Sequence, residues 1–137
     1  MAEAHQVVLA GCVPLAPGFV DRTELVGCVL ADAVGVPQDV PPFDNSAMDG
    51  FAVRSEDTTS ATAETPVALR VVDTVLAGQA PSRAVASGEA VRIMTGAPVP
   101  DGADAIVPVE LVRTPDGVPT PQTDTVLVSA PATAAQH

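Results

Sequence analysis

The period of the hydrophobic positions changes near residue 50. Before that point apolar residues recur at helical spacing. Ala2–Ala10 carries Val7, Val8 and Leu9 and is ended by Gly11 and Pro14, which predicts one short helix. A helix that short needs a surface to pack on. Pro14–Gly18 reads as a linker. Asp21 then offers an N-cap, with Glu24 in the capping-box position. Leu25, Val26, Val29, Leu30 and Ala33 share one helical face, so a second helix is expected from Asp21 to about Ala33, stopped by Gly35 and Pro37. Gly27 inside it costs about 1 kcal/mol relative to Ala and points to close approach of another backbone.

From Phe51 onward the spacing is that of strands. Phe51–Arg54 reads as a short strand running into an exposed Ser-Glu-Asp-Thr loop. Pro66–Leu76 reads as a longer one, with Val67, Leu69 and Val71 on one face and a bulge where Val72 breaks the alternation. Ala77–Gly88 is loop. Glu89–Met94 and Ala105–Val109 are strands, joined by a connection that two prolines and a Pro-Asp-Gly turn keep structured. Leu111–Val118 is expected to form a hairpin around Asp116-Gly117, and Thr125–Ser129 a last strand. Pro131–His137 carries no stop signal of its own and looks unfinished. There is no internal repeat and no βαβ alternation.

Composition narrows the class. The 137 residues suffice for one domain with a sizeable core. Of these, 47% are apolar, mostly Ala and Val, with three Phe and neither Trp nor Tyr. A core of small, β-branched side chains favours a sheet over a helical bundle. The formal net charge is −11, and all six basic residues are Arg. That balance, with so few aromatics, excludes a nucleic-acid surface and disfavours anionic membranes. Without Lys there is neither a P-loop lysine nor a Schiff-base lysine. Cys12 and Cys28 are far apart with no neighbouring His, a poor zinc site, and read as small buried apolar residues in a reducing compartment. No spanning segment or signal peptide is legible, so a cytoplasmic protein is expected.

Two polar stretches carry the candidate chemistry. The first, Pro41-Pro42-Phe43-Asp44-Asn45-Ser46-Ala47-Met48-Asp49-Gly50, places carboxylates, an amide and a hydroxyl between a proline pair and a strand. It reads as an ordered polar loop, a common place for function, and equally as an ordinary acidic turn. The second is Arg92-Ile93-Met94-Thr95-Gly96-Ala97-Pro98-Val99-Pro100. A strand delivers Thr95 to a turn whose glycine permits close backbone approach. N–H groups beside Gly96 would suit an anion nest. Thr95 is equally an ordinary strand-end threonine bonded to local backbone.

PPFDNSAMDGFAVR (Pro41–Arg54) and VRIMTGAPVPDGADAIVPVE (Val91–Glu110) resemble the two signature stretches of the molybdopterin molybdenumtransferases. That family inserts molybdenum into molybdopterin in the last step of molybdenum cofactor biosynthesis and includes the E domain of gephyrin. Gly27–Asp32 is similar to a further family segment, with Cys28 where Arg is usual, and Gly88–Val91 fits the approach to the second motif. Phe51 stands where the family often has Tyr and is expected to pack. The resemblance implies that Asp49 and Thr95 match family residues needed for activity. It implies Mg2+ near Asp49, and the cofactor phosphate or molybdate near Thr95 and Gly96, with molybdate and adenylylated molybdopterin as substrates. Asp44, Asn45 and Ser46 are expected to lock the loop. Family members are much longer than this chain, work as homodimers, and carry most pterin and molybdate contacts on a separate α/β domain.

The expected fold is therefore mainly β with N-terminal helices, and the resemblance adds a coiled, bifurcated sheet like the family's N-terminal and linker region. The expected divisions are an N-terminal helical segment over 1–40, a β-rich domain with both motifs over 41–110, and a hairpin, strand and tail over 111–137. The expected function is the N-terminal portion of a molybdopterin molybdenumtransferase, inactive without the cofactor-binding domain. The alternative is a non-catalytic assembly or interaction module, or a truncated remnant.

Overall fold

The alternation that begins at residue 51 builds a six-stranded sheet in a structure that is mainly β. The computed structural model describes residues 2–115 and 117–135. The strands are β1 (Gly50–Val53), β2 (Val67–Val75), β3 (Glu89–Ile93), β4 (Ala105–Pro108), β5 (Val112–Arg113) and β6 (Thr125–Val128). Each of the four strands expected between residues 51 and 109 is present, with ends displaced by at most one residue, as is the last strand. Their order in the sheet is β4-β1-β3-β2-β6-β5. All pairings are antiparallel except β2–β3, which is parallel and is bridged by the loop over 76–88. The expected bulge is present: the β2–β3 register shifts between Val71 and Asp73.

Strand alternation divides the apolar residues between two clusters, one on each face. Phe51 and Val53 of β1 join Leu69, Ala90, Ala105, Val107, Val112, Val126 and Val128, so all six strands contribute to one core. Ala52 of the same strand points the other way, with Val75, Val91, Ile93 and Ile106. Both faces of β1 are thus covered, and all four of its residues are buried. Phe51 packs as expected, fully buried.

The loops are fastened by one recurring device, an aspartate that accepts from a hydroxyl and from backbone N–H. Asp104 takes the N–H (2.6 Å) and hydroxyl (2.8 Å) of Ser55. Asp57 takes the Ser87 hydroxyl (2.8 Å) and the Gly88 N–H (2.9 Å). Asp73 takes the Ser82 hydroxyl at 2.6 Å and the Thr74 N–H at 2.7 Å. Glu89, buried at the start of β3, is held by Arg70 (2.5 Å) and Arg83 (2.7 Å). The loop over 77–88, featureless in sequence, is ordered by these contacts.

Two expectations for the C-terminal stretch meet different outcomes. Asp116, at the expected hairpin tip, lies outside the described residues, while Thr114 and Gly117 exchange backbone bonds of 2.9 and 3.1 Å. The tail up to residue 135 is fastened: Ala132 N–H donates to the buried Thr58 hydroxyl (2.8 Å) and Ala135 N–H to the Asp104 carbonyl (2.8 Å). Gln136 and His137 lie outside the described residues.

The chain divides into two units, Met1–Pro37 and Gln38–His137. In the first unit Ala2–Ala10 is the expected helix, α1. The second expected helix is absent. Asp21 does act as an N-cap, accepting from Thr23 N–H at 2.9 Å, but for a single 3-10 turn over Arg22–Glu24. The chain then turns at Gly27, whose φ of +89° is left-handed and closes the Cys28 N–H onto the Leu25 carbonyl at 3.0 Å. A Cβ at Gly27 would meet nothing within 4 Å, so its role is the turn and not a close approach. Leu25, Val26, Val29 and Leu30 are all exposed; with no surface in this unit to cover their face, periodicity alone does not hold a helix. Cys12 and Cys28 are exposed too, against expectation, because this unit has no core to receive them.

Candidate functional site

The two polar stretches meet because of the β1–β3 register. Gly50 faces Ile93, Phe51 faces Arg92 and Ala52 faces Val91. Extending that pairing by one position sets Asp49 opposite Met94 and beside Thr95. Asp49 Oδ1 accepts from both the Thr95 N–H and the Thr95 hydroxyl, each at 2.8 Å. From the other side the Val109 N–H donates to the Asp49 carbonyl at 3.1 Å. Asp49 is therefore held at the end of β1 between its two neighbouring strands. Thr95 opens a turn in which the Ala97 N–H closes onto the Met94 carbonyl at 2.9 Å, with Gly96 at φ +80° in the position that a type II turn reserves for glycine.

A second seam ties the same stretches together. Gly96 N–H donates to the Ser46 carbonyl (2.8 Å), Ser46 N–H to the Ala97 carbonyl (2.9 Å) and Val99 N–H to the Asp44 carbonyl (2.9 Å). Asn45 and Pro98 form the bridge between them. Residues 44–46 thus lock the loop, as expected, chiefly through backbone. Ser46 is the hub: it is fully buried, and its hydroxyl donates to the Met48 carbonyl at 2.5 Å, orienting the peptide just ahead of Asp49. A serine two residues before its acceptor is a recognisable local turn, but its burial is set by the seam.

The anion nest expected beside Gly96 is not open. The N–H of Thr95 is taken by Asp49, that of Gly96 by Ser46, and that of Ala97 by Met94. The nest geometry is satisfied by the chain's own acceptors, and Thr95 retains hydroxyl lone pairs toward solvent. Both Asp49 and Thr95 are exposed. The Thr95 N–H, then its hydroxyl, and to a smaller extent the charge of Arg92, hold the Asp49 carboxyl below the usual carboxylate range. Asp49 is thus ionised at neutral pH, with its Oδ2 free of hydrogen-bond partners among the described residues.

Arg92 was not singled out from the sequence, although a charge between Val91 and Ile93 in a buried strand is a legible signal. Its guanidinium carbon lies 6.0 Å from the centroid of the Phe51 ring, and Nη1 is buried without a partner. The Mg2+ implied by the resemblance finds one suitable donor here. Among the described residues no three His, Cys, Asp or Glu gather into a metal cage. A single ionised carboxylate oxygen fits Mg2+ in its common form, with water and phosphate completing the shell. Bound there, the ion would supply charge neutralisation for a phosphate. A separate open concavity of about 600 Å3 is lined by Asp39, Pro41, Pro42, Phe43, Asp44, Asn45 and Ala47. Neither Asp49 nor Thr95 lines it, although six of its residues, Pro41 to Asn45 and Ala47, belong to the first motif. No helix among the described residues is long and apolar enough to cross a membrane.

Comparison with known proteins places these features. Residues 1–137 match the family described as the MoeA N-terminal region, domains I and II. The chain is 45% identical over 139 residues to molybdopterin molybdenumtransferase 2 of Mycobacterium tuberculosis, covering 98% of this chain and 32% of that relative. It is 48% identical over 99 residues to the molybdopterin molybdenumtransferase of Synechococcus elongatus, covering 72% of this chain and 25% of the relative. A crystal structure of the molybdopterin biosynthesis MoeA protein from Pyrococcus horikoshii matches with a TM-score of 0.67 and 35% identity, over 98% of this chain and 33% of that one. The chain thus spans about a third or less of the length of these relatives.

Proposed function

The chain belongs to the MoeA N-terminal region family, and from that premise we propose that it supplies one wall of a molybdopterin molybdenumtransferase site. Asp49 and Thr95 reach from the sheet toward substrates held mainly by residues beyond this region. The reaction is insertion of molybdate into adenylylated molybdopterin in the cytoplasm, by a homodimer. Asp49 offers Oδ2 to a hydrated Mg2+ beside a phosphate, and Thr95 offers its hydroxyl to a substrate oxygen while its N–H keeps Asp49 ionised and in place. The 137 residues by themselves perform no transfer.

The observation that carries this reading is the clasp of Asp49 on Thr95, which joins the two family motifs at one exposed point. The same clasp chemistry fastens Asp57, Asp73 and Asp104, so the bond alone is a folding device; its place in both motifs is what supports a role in the reaction. The test is Asp49→Asn in an intact protein carrying this region. Asn still accepts from Thr95, so the fold is kept while the charge is lost. Molybdenum insertion is expected to fall by on the order of a hundredfold, the loss typical at such sites. Full activity would overturn the catalytic role. If activity survives Asp49→Asn but not removal of the whole region, the region serves assembly instead. Cofactor formation by the isolated 137 residues would overturn its dependence on the remainder.

A further inference from the structure

We propose that Arg92 is an internal counter-cation for Asp49, a positioning residue whose unpaired charge sets how tightly Asp49 takes a divalent cation. The inference rests on the reading of Asp49 as a metal-facing carboxylate.

Val91 and Ile93 are buried in the cluster on one face of the sheet, so Arg92 between them lies on the other, paired across the strands with Phe51. Its guanidinium stacks over that ring at 6.0 Å. Asp49 is two residues from Phe51 and shares its face by strand alternation, which makes it the diagonal neighbour of Arg92. Such neighbours lie roughly 7–8 Å apart, within reach of a long side chain.

The charge of Arg92 is not consumed elsewhere. Arg54, Arg70 and Arg83 each form a salt bridge with a glutamate. Among the described residues Arg92 forms none, and its buried Nη1 has no hydrogen-bond partner. Thr95 gives Asp49 only neutral donors, its N–H and its hydroxyl, and Arg92 stands diagonally across the β1–β3 pairing from that carboxylate. It partly neutralises Asp49 without blocking Oδ2. A bare divalent ion therefore meets a fixed positive charge, whereas an ion arriving with anionic phosphate ligands offsets it. This arrangement keeps Asp49 from taking up free cations and favours those that come with substrate.

The test uses the 15N-labelled 137-residue chain and Mn2+, a hard divalent probe that broadens nearby amide signals. Broadening at Gly50 and Thr95 reads occupancy at Asp49. Arg92→Met keeps the packed stem and removes the charge; Arg92→Gln does so with a polar end, should Met disturb the fold. Both are expected to bind Mn2+ about three- to tenfold more tightly than wild type, the effect of one unit charge on a divalent ion at this range near water. Arg92→Lys should stay within about twofold of wild type on the same charge argument, and Asp49→Asn should show no broadening at these amides. Equal affinity in wild type, Arg92→Met and Arg92→Gln would overturn the counter-cation role while leaving Asp49 as the ligand. Broadening that persists in Asp49→Asn, or is absent from every protein, would overturn the metal-facing reading of Asp49 and this inference with it.

Discussion

Gly50, next to Asp49, is the position where the sheet leaves no room for a side chain. A Cβ there would overlap the Val107 carbonyl oxygen, lie 3.0 Å from its carbon and 3.1 Å from Ile106 Cγ2. The neighbour on that side is backbone of β4, paired with β1 over four positions, so relief requires the two strands to separate. Gly50→Ala is expected to cost about 2–4 kcal/mol, at or above the upper end for overpacking because a strand and not a side chain must move. Gly96→Ala isolates a different term: its Cβ would meet only Ala77 Cβ at 3.9 Å, but φ is +80°. That change should cost about 1–2 kcal/mol from the left-handed backbone alone. Gly35→Ala has neither problem, with nothing within 4 Å and no positive φ, and should be neutral within about 0.5 kcal/mol. The assay is urea unfolding of the 137-residue chain. With a slope of about 1.5 kcal/mol per molar, Gly50→Ala should lower the midpoint by roughly 1.5–2.5 M and Gly96→Ala by roughly 1 M. Amide spectra of Gly50→Ala should also show loss of the Asp49–Thr95 bond. A Gly50→Ala midpoint equal to that of Gly35→Ala would refute the steric argument, since it would mean β1 and β4 separate at no cost.

Two other perturbations test the polar fastenings. Asp49, Asp73 and Asp104 are each held below the ordinary carboxylate value, Asp49 first by the Thr95 N–H, Asp73 by the Ser82 hydroxyl and Asp104 by the Ser55 N–H. A carboxyl with a lower pKa folded than unfolded stabilises fully above its unfolded value, near 3.8, and loses that contribution as pH falls through the folded value. The urea midpoint should therefore be level above about pH 5 and fall below about pH 4, and a midpoint that rises on acidification contradicts the clasps. Glu89→Gln removes the charge that Arg70 and Arg83 share. Because those side chains are 68% and 44% exposed, the loss should be about 1–2 kcal/mol, below that for breaking a fully buried pair. A urea midpoint unchanged from wild type would show that the triad adds nothing to stability.

What the sequence by itself determined is the local structure from residue 50 onward. Alternation around Phe51, Leu69, Val91 and Ile106 specified strands, because each face of a pleat must be apolar where it is covered and this is written in the spacing. The break at Val72 marked the bulge, and the Pro-Gly-rich stretch after Thr95 marked an ordered turn, since proline fixes φ and glycine admits the positive φ that a tight turn requires. The motifs around Asp49 and Thr95 were legible as motifs. That they touch was not, because nothing local states that β1 pairs with β3 in the register that sets residue 49 beside residue 95. The parallel β2–β3 pairing, the burial of Glu89 between two arginines, the hub role of Ser46 and the filled nest at Gly96 were likewise decided by partners distant in sequence. The segment after Asp21 shows the converse. Its apolar spacing is helical, yet Gly27 takes a left-handed turn and the face of Leu25 and Val29 stays exposed. A short amphipathic pattern becomes a helix only where tertiary structure supplies a surface to bury it, and that surface is not encoded in the pattern itself.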